Sequence, residues 1–262
     1  MEILAYVASA FIGISLGLTG GGGSILTVPV MVYLFGIDPL MATSYSLFVV
    51  GLTSLVGAYQ NYKLGFIQMR TAFMFGLCSI VAVWLTRKLL IPIIPEHIFT
   101  TNHFVFTSHM FMMVLFAILM VAAAVSMIKG RKECESNVVP PSLNLPKMVL
   151  YGLGIGFTTG LLGAGGGFLL IPTLVVLMGL PMKEAIGTSL LIIALNSLIG
   201  FTADIGHFHM DWPLLLSVTG LAIMGVFAGG LLGARLNGGK LKIGFGWFVL
   251  VMGVFILLKE LL

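Results

Sequence analysis

The sequence contains very little charge. Only 8% of its 262 residues are Asp, Glu, Lys or Arg, whereas a soluble domain carries about 25%. Hydrophobic residues make up 59% of the chain, more than one soluble core of this size can bury. The net charge of +4 is spread thinly, which excludes a nucleic-acid-binding protein. We therefore expect a multi-pass protein of the cell membrane, with the lipid bilayer as its partner and no nucleic acid.

The chain also lacks the motifs of enzymes and redox proteins. Its two cysteines, Cys78 and Cys134, define no disulfide framework. No Ser-His-Asp, HExxH or GxSxG pattern supports an intramembrane enzyme, and no Gly-Lys-Ser/Thr follows either glycine cluster. We expect neither an enzyme, nor a cofactor, nor a primary pump within this chain. Met1 and Glu2 lead straight into apolar residues without a basic stretch, so we expect the first hydrophobic segment to be retained.

Apolar runs divide the chain into about ten segments. They span roughly residues 3–19, 24–36, 40–61, 69–91, 108–128, 148–162, 167–179, 184–204, 212–235 and 243–261. A membrane-spanning helix needs about 20 apolar residues, but 24–36 and 167–179 are much shorter. Each of these two follows a glycine cluster and contains a proline. Short, Gly/Pro-interrupted segments at matching positions of two halves are typical of a transporter binding site.

The two halves of the sequence resemble each other. A shift of 143 residues aligns residues 13–71 with 156–214 without a gap, matching glycines, prolines and serines. Such a register indicates an internal duplication. We predict a first transmembrane repeat over 1–128, a cytoplasmic linker over 129–147 and a second transmembrane repeat over 148–262.

Each repeat holds five segments, an odd number, so the second copy enters the membrane from the opposite side. With the N-terminus outside, ten Lys and Arg residues fall on the inner side and three, Arg87, Lys88 and Lys259, on the outer side. This split follows the positive-inside rule. The predicted fold is an all-α membrane protein with two inverted-topology repeats of about five helical segments each, containing Gly-rich broken or re-entrant helices.

The glycine clusters are the first candidate substrate-binding elements. Glycine lets the backbone approach a ligand closely, and the helix start that follows each cluster favours an anion. Tight turns or close helix packing are the alternative role. The residues are Gly20, Gly21, Gly22, Gly23 and Ser24 in the first half, and Gly163, Gly165, Gly166 and Gly167 in the second.

Polar residues on the third segment of each repeat are the second candidate. Their hydroxyls and amides can replace an anion's hydration shell, although bonding between neighbouring helices is an equal alternative. These residues are Ser46, Thr53, Ser54 and Asn61, their repeat mates Ser189, Asn196, Ser197 and Asp204, and the adjacent Thr188.

Asp204 has a further candidate role, because acids at the edge of a span are suspected functional residues. It could couple transport to a proton or cation, or it could be a solvated surface acid. Together with His207 and His209 it has metal-ligand residue types. No recognised zinc spacing is present, so we favour a surface loop and predict no metal site. A divalent-metal permease stays the alternative, as does a passive anion channel.

Several of these elements resemble the TauE/SafE family of sulfite and organosulfonate exporters. They are the glycine-rich stretches 20–29 and 163–172, the Gly-Leu-Pro at 179–181, the Gly-Thr-Ser-Leu at 187–190 and the Tyr-Lys-Leu-Gly at 62–65. The resemblance implies a secondary transporter in the inner or plasma membrane of a bacterium, moving a small sulfur-containing anion outward. The sequence departs from the pattern at 44–47, where Ser-Tyr-Ser-Leu replaces Gly-Thr-Ser-Leu.

These interpretations together place the anion near the bilayer midplane, between the two glycine clusters. We count no Lys or Arg well inside any segment, so the positive potential there is expected to come mainly from backbone N–H groups. Ser46, Ser54, Ser189, Asn196 and Ser197 would complete the shell with neutral donors.

The predicted topology can be tested at Cys134. Both termini should lie outside and residues 129–147 inside, so a membrane-impermeant thiol reagent added to intact cells should leave Cys134 unlabelled until the cells are permeabilised. Labelling from outside in intact cells would overturn this orientation.

Overall fold

Ten α-helices form the part of the chain that the structure describes. The structure, a computed structural model, describes residues 2–93, 97–101, 104–128, 145–205, 210–233 and 238–261. The helices are α1 (Glu2–Thr19), α2 (Thr27–Tyr33), α3 (Pro39–Lys63), α4 (Met69–Leu85), α5 (Ser108–Ile128), α6 (Leu145–Leu162), α7 (Gly167–Met178), α8 (Met182–Asp204), α9 (Trp212–Gly233) and α10 (Gly238–Leu261). The prediction of an all-α membrane protein is confirmed. A small antiparallel hairpin, β1 (His97–Thr101) with β2 (Phe104–Thr107), is added between α4 and α5.

Four described stretches are long and apolar enough to cross a membrane: Pro39–Lys63, Met69–Ile93, Met182–Asp204 and Trp212–Leu232. The second of these continues α4 through a π-helical turn, Thr86–Leu90, and a 3₁₀ turn, Ile91–Ile93. Local signals set helix boundaries. Asp38 caps α3, because its side chain accepts a hydrogen bond from the Leu40 N–H at 2.9 Å.

The two Gly/Pro-flanked segments are too short to cross the bilayer alone. Helix α7 has 12 residues, a length of about 18 Å against a hydrocarbon core of about 30 Å. Helix α2 has only 7 residues and follows a 3₁₀ turn, Gly22–Leu26. A short helical run thus follows each glycine cluster, as expected, but the first run, Gly22–Tyr33, begins as a 3₁₀ turn and the second is α-helical from Gly167.

Helix packing exchanges partners between the two halves of the chain. Helix α1 packs along α9, α6 packs along α4, and α3 and α8 pack against each other, as do α5 and α10. Under the 143-residue shift, α1 corresponds to α6 and α4 to α9, so the first two contacts are equivalent.

Individual glycines repeat the same exchange. Gly13 lies against Ala222 and Gly156 against Ser79; Gly17 lies against Val226 and Gly160 against Val83. Within the α3–α8 pair, Gly57 lies against Leu190 and Gly200 against Leu47. Position 57 meets 190 while 47 meets 200, so α3 and α8 run antiparallel. Two halves related by a two-fold axis in the membrane plane would make these reciprocal contacts, which support the inverted repeat; it stays a prediction.

The buried interior is centred on α3 and α8. Two-thirds (67%) of the most apolar window of each helix is buried, against 44% for Met69–Ile93 and 39% for Trp212–Leu232. The elements that carry the candidate site therefore lie at the centre of the bundle.

Some predicted features fall outside the described residues. They are most of the linker over 129–147, including Cys134, and the histidines His207 and His209.

The close approach of α6 and α4 can be tested with a matched pair of alanine substitutions. A methyl group at Gly156 would collide with the Ser79 carbonyl and lie 2.8 Å from the Ala82 side chain, whereas one at Gly154 would meet nothing within 4 Å. Gly156→Ala should destabilise the protein by about 1–3 kcal/mol. Gly154→Ala should be neutral or slightly stabilising, since alanine favours helix.

Thermal unfolding of the two purified variants in the same detergent measures this difference. Equal melting temperatures for both variants would contradict the packing of α6 on α4.

Candidate functional site

The two glycine clusters meet in the interior of the bundle. Gly21 and Gly167 are in van der Waals contact, and a methyl group added to Gly167 would lie 2.6 Å from the Gly21 carbonyl oxygen. All of the residues 20–29 and 159–167 are buried. Irregular backbone is tolerated at this depth because it is enclosed by protein. The clusters therefore lie together, as the sequence predicts.

The second cluster depends on backbone conformations that favour glycine. Gly163, Gly165 and Gly166 have φ of 66°, 66° and 70°, a left-handed region that other residues rarely adopt. In the first cluster Gly20 has a φ of 71°. The two clusters are thus related in sequence but differ in backbone conformation.

Gly165 marks the centre of the site. A methyl group there would lie 2.6 Å from Val50, 3.0 Å from Ile193 and 3.3 Å from the Ser197 hydroxyl. Val50 on α3 and Ile193 on α8 are repeat mates. Because residues four apart share one helix face, serines flank both: Ser46 and Ser54 around Val50, and Ser189 and Ser197 around Ile193.

Several side-chain polar atoms in this interior lack a partner. Ser46, Ser54, Asn196 and Ser197 are each fully buried. The three hydroxyls and the Asn196 Oδ1 make no hydrogen bond to any described residue. Such groups cost about 1–3 kcal/mol each when left unsatisfied. Their concentration on the facing helices α3 and α8 indicates a place where a polar ligand or water completes their hydrogen bonds.

Other predicted site residues have local partners. Ser24 donates to the Gly21 carbonyl at 2.7 Å, Thr53 to the Val49 carbonyl at 2.6 Å and Ser189 to the Ile186 carbonyl at 2.9 Å. The amide nitrogen of Asn196 donates to Ser79 at 2.7 Å. Ser24, Thr53 and Ser189 thus bond to the backbone of their own segments, which differs both from the predicted anion contact and from the alternative of bonding between neighbouring helices.

Asn61 and Thr188 lie where the end of α3 meets the start of α8, close in sequence to Ile186, which Gly20 contacts. Asn61 donates to the Gly57 carbonyl at 2.9 Å, and the Thr188 hydroxyl accepts from the Gln68 N–H at 3.0 Å. Gly187, beside Thr188, contacts Asn61 and the Phe66 carbonyl. These residues join the end of α3 to the start of α8, at the predicted inner side.

A buried ion pair was missed by the sequence analysis. Arg87 is 1% exposed, and its Nη1 donates to Asp204 Oδ2 at 2.8 Å. Ser44 donates to the same carboxylate oxygen and accepts from Arg87 Nη1 at 3.3 Å. The assignment of Arg87 to an outer loop is thus wrong, as is the expectation that no Arg lies inside a segment. One feature of the sequence indicates that Arg87 is buried: it falls within the apolar run 69–91.

Asp204 is correspondingly not a solvated surface acid. It is 1% exposed and held between Arg87 and Ser44. Tyr45, where the sequence departs from the family pattern, is also buried, and its hydroxyl accepts from the Asp211 N–H at 2.6 Å. Through this hydrogen bond, Tyr45 connects α3 to the segment that precedes α9.

Among the described residues, no group of three or more His, Cys, Asp or Glu side chains could hold a metal ion.

An apolar groove lies on another part of the bundle. It lies among α3, α4, α8 and α9, with Leu55, Tyr59, Tyr62, Met69 and Phe227 in its lining. Most of these side chains are exposed on the outside of the bundle. We assign the polar interior rather than this groove as the candidate site, because the groove offers an anion almost no polar partner.

Ten apolar helices packed around buried, unpartnered polar groups define a polytopic membrane protein of the transporter class. The sequence model of the family described as "Sulfite exporter TauE/SafE" matches residues 5–256. The chain therefore belongs to the TauE/SafE family.

Relatives of this chain have been assigned to the same class. It is 26% identical to a "Probable membrane transporter protein" of Xylella fastidiosa, over 98% of this chain and 95% of the relative. It is also 26% identical to one of Haemophilus influenzae, over 98% of both chains. It is 37% identical to YunE of Bacillus subtilis over 32% of this chain and 29% of the relative. No solved structure matches it. The protein is a membrane transporter.

Serine-to-alanine substitutions test the candidate site. Ser197→Ala and Ser54→Ala remove hydroxyls without a described partner, so thermal stability should be unchanged or higher, while binding of a probe anion such as sulfite should weaken about threefold to tenfold. Ser9→Ala is the matched control, because Ser9 is equally buried but donates to the Ala5 carbonyl at 2.8 Å.

Binding is measured by calorimetry on the detergent-purified protein. Unchanged sulfite affinity in both site variants would exclude these serines from the site. A Gly23→Val substitution in the first glycine cluster would not test anion binding separately from folding. Its side chain would collide with the backbone of Leu16 and Ile12 and would disturb folding together with binding.

Proposed function

We propose that this protein is a secondary transporter that exports a small sulfur-containing anion, of the sulfite or organosulfonate class, across the cell membrane of a bacterium. The observation that carries the proposal is the set of buried hydroxyl and amide oxygen atoms on α3 and α8 without a described partner, of which the Ser197 hydroxyl lies beside Gly165. Family membership supports the substrate class, since the family description names sulfite export.

The chemistry of the interior suits a small oxyanion. Hydroxyls on Ser46, Ser54 and Ser197 can each donate to an oxygen of sulfite or a sulfonate. The adjacent α7 begins at Gly167, directly after the turn at Gly166, and a helix start favours negative charge. Neutral donors supply hydrogen bonds without a strong fixed charge, so the anion can also be released.

The same interior is closed to solvent. Ser46, Ser54, Ser197 and both glycine clusters are buried, so an anion reaches them only after helices separate on one side. The crossing of α3 and α8 divides the bundle into two ends, one near Asn61 and the other near Asp204. Opening these ends alternately would carry the anion across, as in other transporters built from repeats.

Asp204 is the proposed coupling residue. It lies at the predicted outer end of α8, and Arg87 is the described charged group in contact with it. Protonation of Asp204 would remove its charge and weaken the ion pair that joins α8 to the extension of α4. A proton could therefore favour opening of this end. The repeat mate, Asn61, cannot be protonated in this way, so the two ends would respond unequally.

Flux into proteoliposomes tests the proposed activity. An imposed pH gradient should change the initial rate of sulfite flux through the wild-type protein, as expected for a coupled carrier. Gradient-independent flux at rates far above those of carriers would instead establish an anion channel. No sulfite or sulfonate flux, together with zinc- or nickel-dependent transport, would establish the metal permease.

Asp204→Asn tests the coupling role in the same assay. The variant should lose its response to the pH gradient, because asparagine carries no titratable proton. Asp211→Asn is the matched control, since Asp211 is exposed and caps the Leu214 N–H at 3.2 Å, a role that asparagine can also fill. An Asp204→Asn variant with the wild-type pH response would exclude Asp204 as the coupling group.

A further inference from the structure

Arg87 occupies an unusual place in the fold. Helix α4 ends at Leu85 and continues through the π-helical turn Thr86–Leu90, which contains Arg87. Single π-turns within helices occur frequently at functional sites. Neighbouring Lys88 is exposed, with its ammonium group 4.5 Å from the centre of the Trp84 ring. Arg87 instead points inward and is fully buried, which is the costly arrangement for a charged side chain.

One part of the Arg87 guanidinium is fixed by the protein. Nη1 contacts Asp204 at 2.8 Å and Ser44 at 3.3 Å, and Ser44 also donates to Asp204. These contacts come from α3 and α8, which hold the guanidinium from two sides. Its position is therefore set before any ligand arrives.

The opposite edge of the guanidinium has no described partner. Nε and Nη2 are both buried and make no hydrogen bond to any described residue. These two nitrogens form the edge with which arginine binds two oxygens of one carboxylate, phosphate or related oxyanion. An ion pair with a purely structural role would be expected to satisfy this edge, since leaving charged donors unpaired in the interior is unfavourable.

Sequence neighbours of Arg87 and Ser44 contact α6 and the second glycine cluster that follows it. Its neighbour Thr86 contacts Gly160, and Thr43, next to Ser44, contacts Gly163. Along α3, Ser44 precedes Val50 by six residues, which corresponds to about 9 Å. Ser44, which contacts the guanidinium, therefore lies on α3 between Val50 and the predicted outer end of the helix, two residues from Ser46.

This arrangement is present in only one half of the duplicated sequence. The 143-residue shift places Gly230 opposite Arg87, Asn61 opposite Asp204 and Gly187 opposite Ser44. The residues at these corresponding positions therefore cannot form an equivalent ion pair. The charge difference distinguishes the two ends of the substrate path.

We propose that Arg87 is an oxyanion-binding residue at the predicted outer end of this path, where Nε and Nη2 bind two oxygens of the transported anion. This inference rests on the proposed function for the location of the path and deepens it by adding a recognition residue. Asp204 and Ser44 position the guanidinium, and the Asp204 charge offsets part of its attraction. The anion is then selected by the geometry of two hydrogen bonds and is still able to leave.

The test uses the purified full-length protein and a panel of sulfite, methanesulfonate, sulfate, phosphate and acetate, with chloride as a spherical reference. The double substitution Arg87→Met with Asp204→Asn removes both charges and leaves no unpaired buried ion, so it should fold. We expect it to weaken oxyanion binding tenfold or more while chloride binding changes little. Arg87→Lys keeps the charge but loses the paired donors, so it should reduce the preference for oxyanions over chloride.

Lys88→Met is the matched control for general charge, because Lys88 is the adjacent exposed cation. It should leave oxyanion affinity unchanged. Wild-type affinity in the double variant would overturn the assignment of Arg87 and leave the proposed function standing. If the double variant fails to fold, an unaltered preference for oxyanions over chloride in Arg87→Lys would overturn the assignment, and a reduced preference would support it.

The same panel separates failure of this inference from failure of the proposed function. Binding of phosphate or acetate but not of the sulfur-containing anions, lost in the double variant, would support Arg87 and contradict the proposed substrate class. A wild-type protein that binds no oxyanion of the panel would overturn both.

Discussion

The close packing of α3 against α8 is the contact on which the rest of this structure depends. These helices cross at the centre of the bundle and are its most buried spans. Glycines permit the approach: Gly57 lies against Leu190 and Gly200 against Leu47. Because membrane helices gain little from hydrophobic burial against lipid, their association relies on such close packing and on interhelical hydrogen bonds. A methyl group at Gly57 would lie 3.2 Å from Leu190, and one at Gly200 would lie 2.8 Å from Val83 and 3.2 Å from Leu47, so either would require these neighbours to shift.

Close glycine contacts also hold the surrounding helices in place. Gly13 and Gly17 bring α1 onto α9, and Gly156 and Gly160 bring α6 onto α4. The helices α1 and α6 lead directly into the glycine clusters, so these contacts position both clusters against the α3–α8 crossing. The irregular backbone of the clusters is thereby enclosed by protein, which is the condition for its existence at membrane depth.

The interior that results is polar without being fully satisfied. Ser46, Ser54 and Ser197 are buried on α3 and α8 without described partners, while Arg87 has a described partner along one edge only. Unsatisfied groups of this kind lower stability, and a protein selected only for stability would replace them. The central serines recur under the 143-residue shift, but the residues of the ion pair do not. The two halves of the sequence therefore differ in charge, which suits the proposed directional transport.

The sequence by itself determined the class of protein, the number and positions of its helices and the residues of the glycine clusters. Hydropathy, glycine and proline report local constraints on each segment, and the 143-residue register reports the duplication. Sequence also indicated the polar face of α3 and α8, because residues four apart share a helix face. It could not show that Ser24, Thr53 and Ser189 bond to nearby backbone while Ser46, Ser54 and Ser197 do not.

Only the tertiary structure decided where Arg87 lies. Its position near the end of an apolar run is equally compatible with an exposed loop, as Lys88 at the next position demonstrates. Burial required Asp204, 117 residues away, and Ser44, 43 residues away, to reach the same point through the packing of α3 and α8. Interactions between such distant positions depend on how helices pack in three dimensions, and a pattern along one chain contains no direct record of that packing.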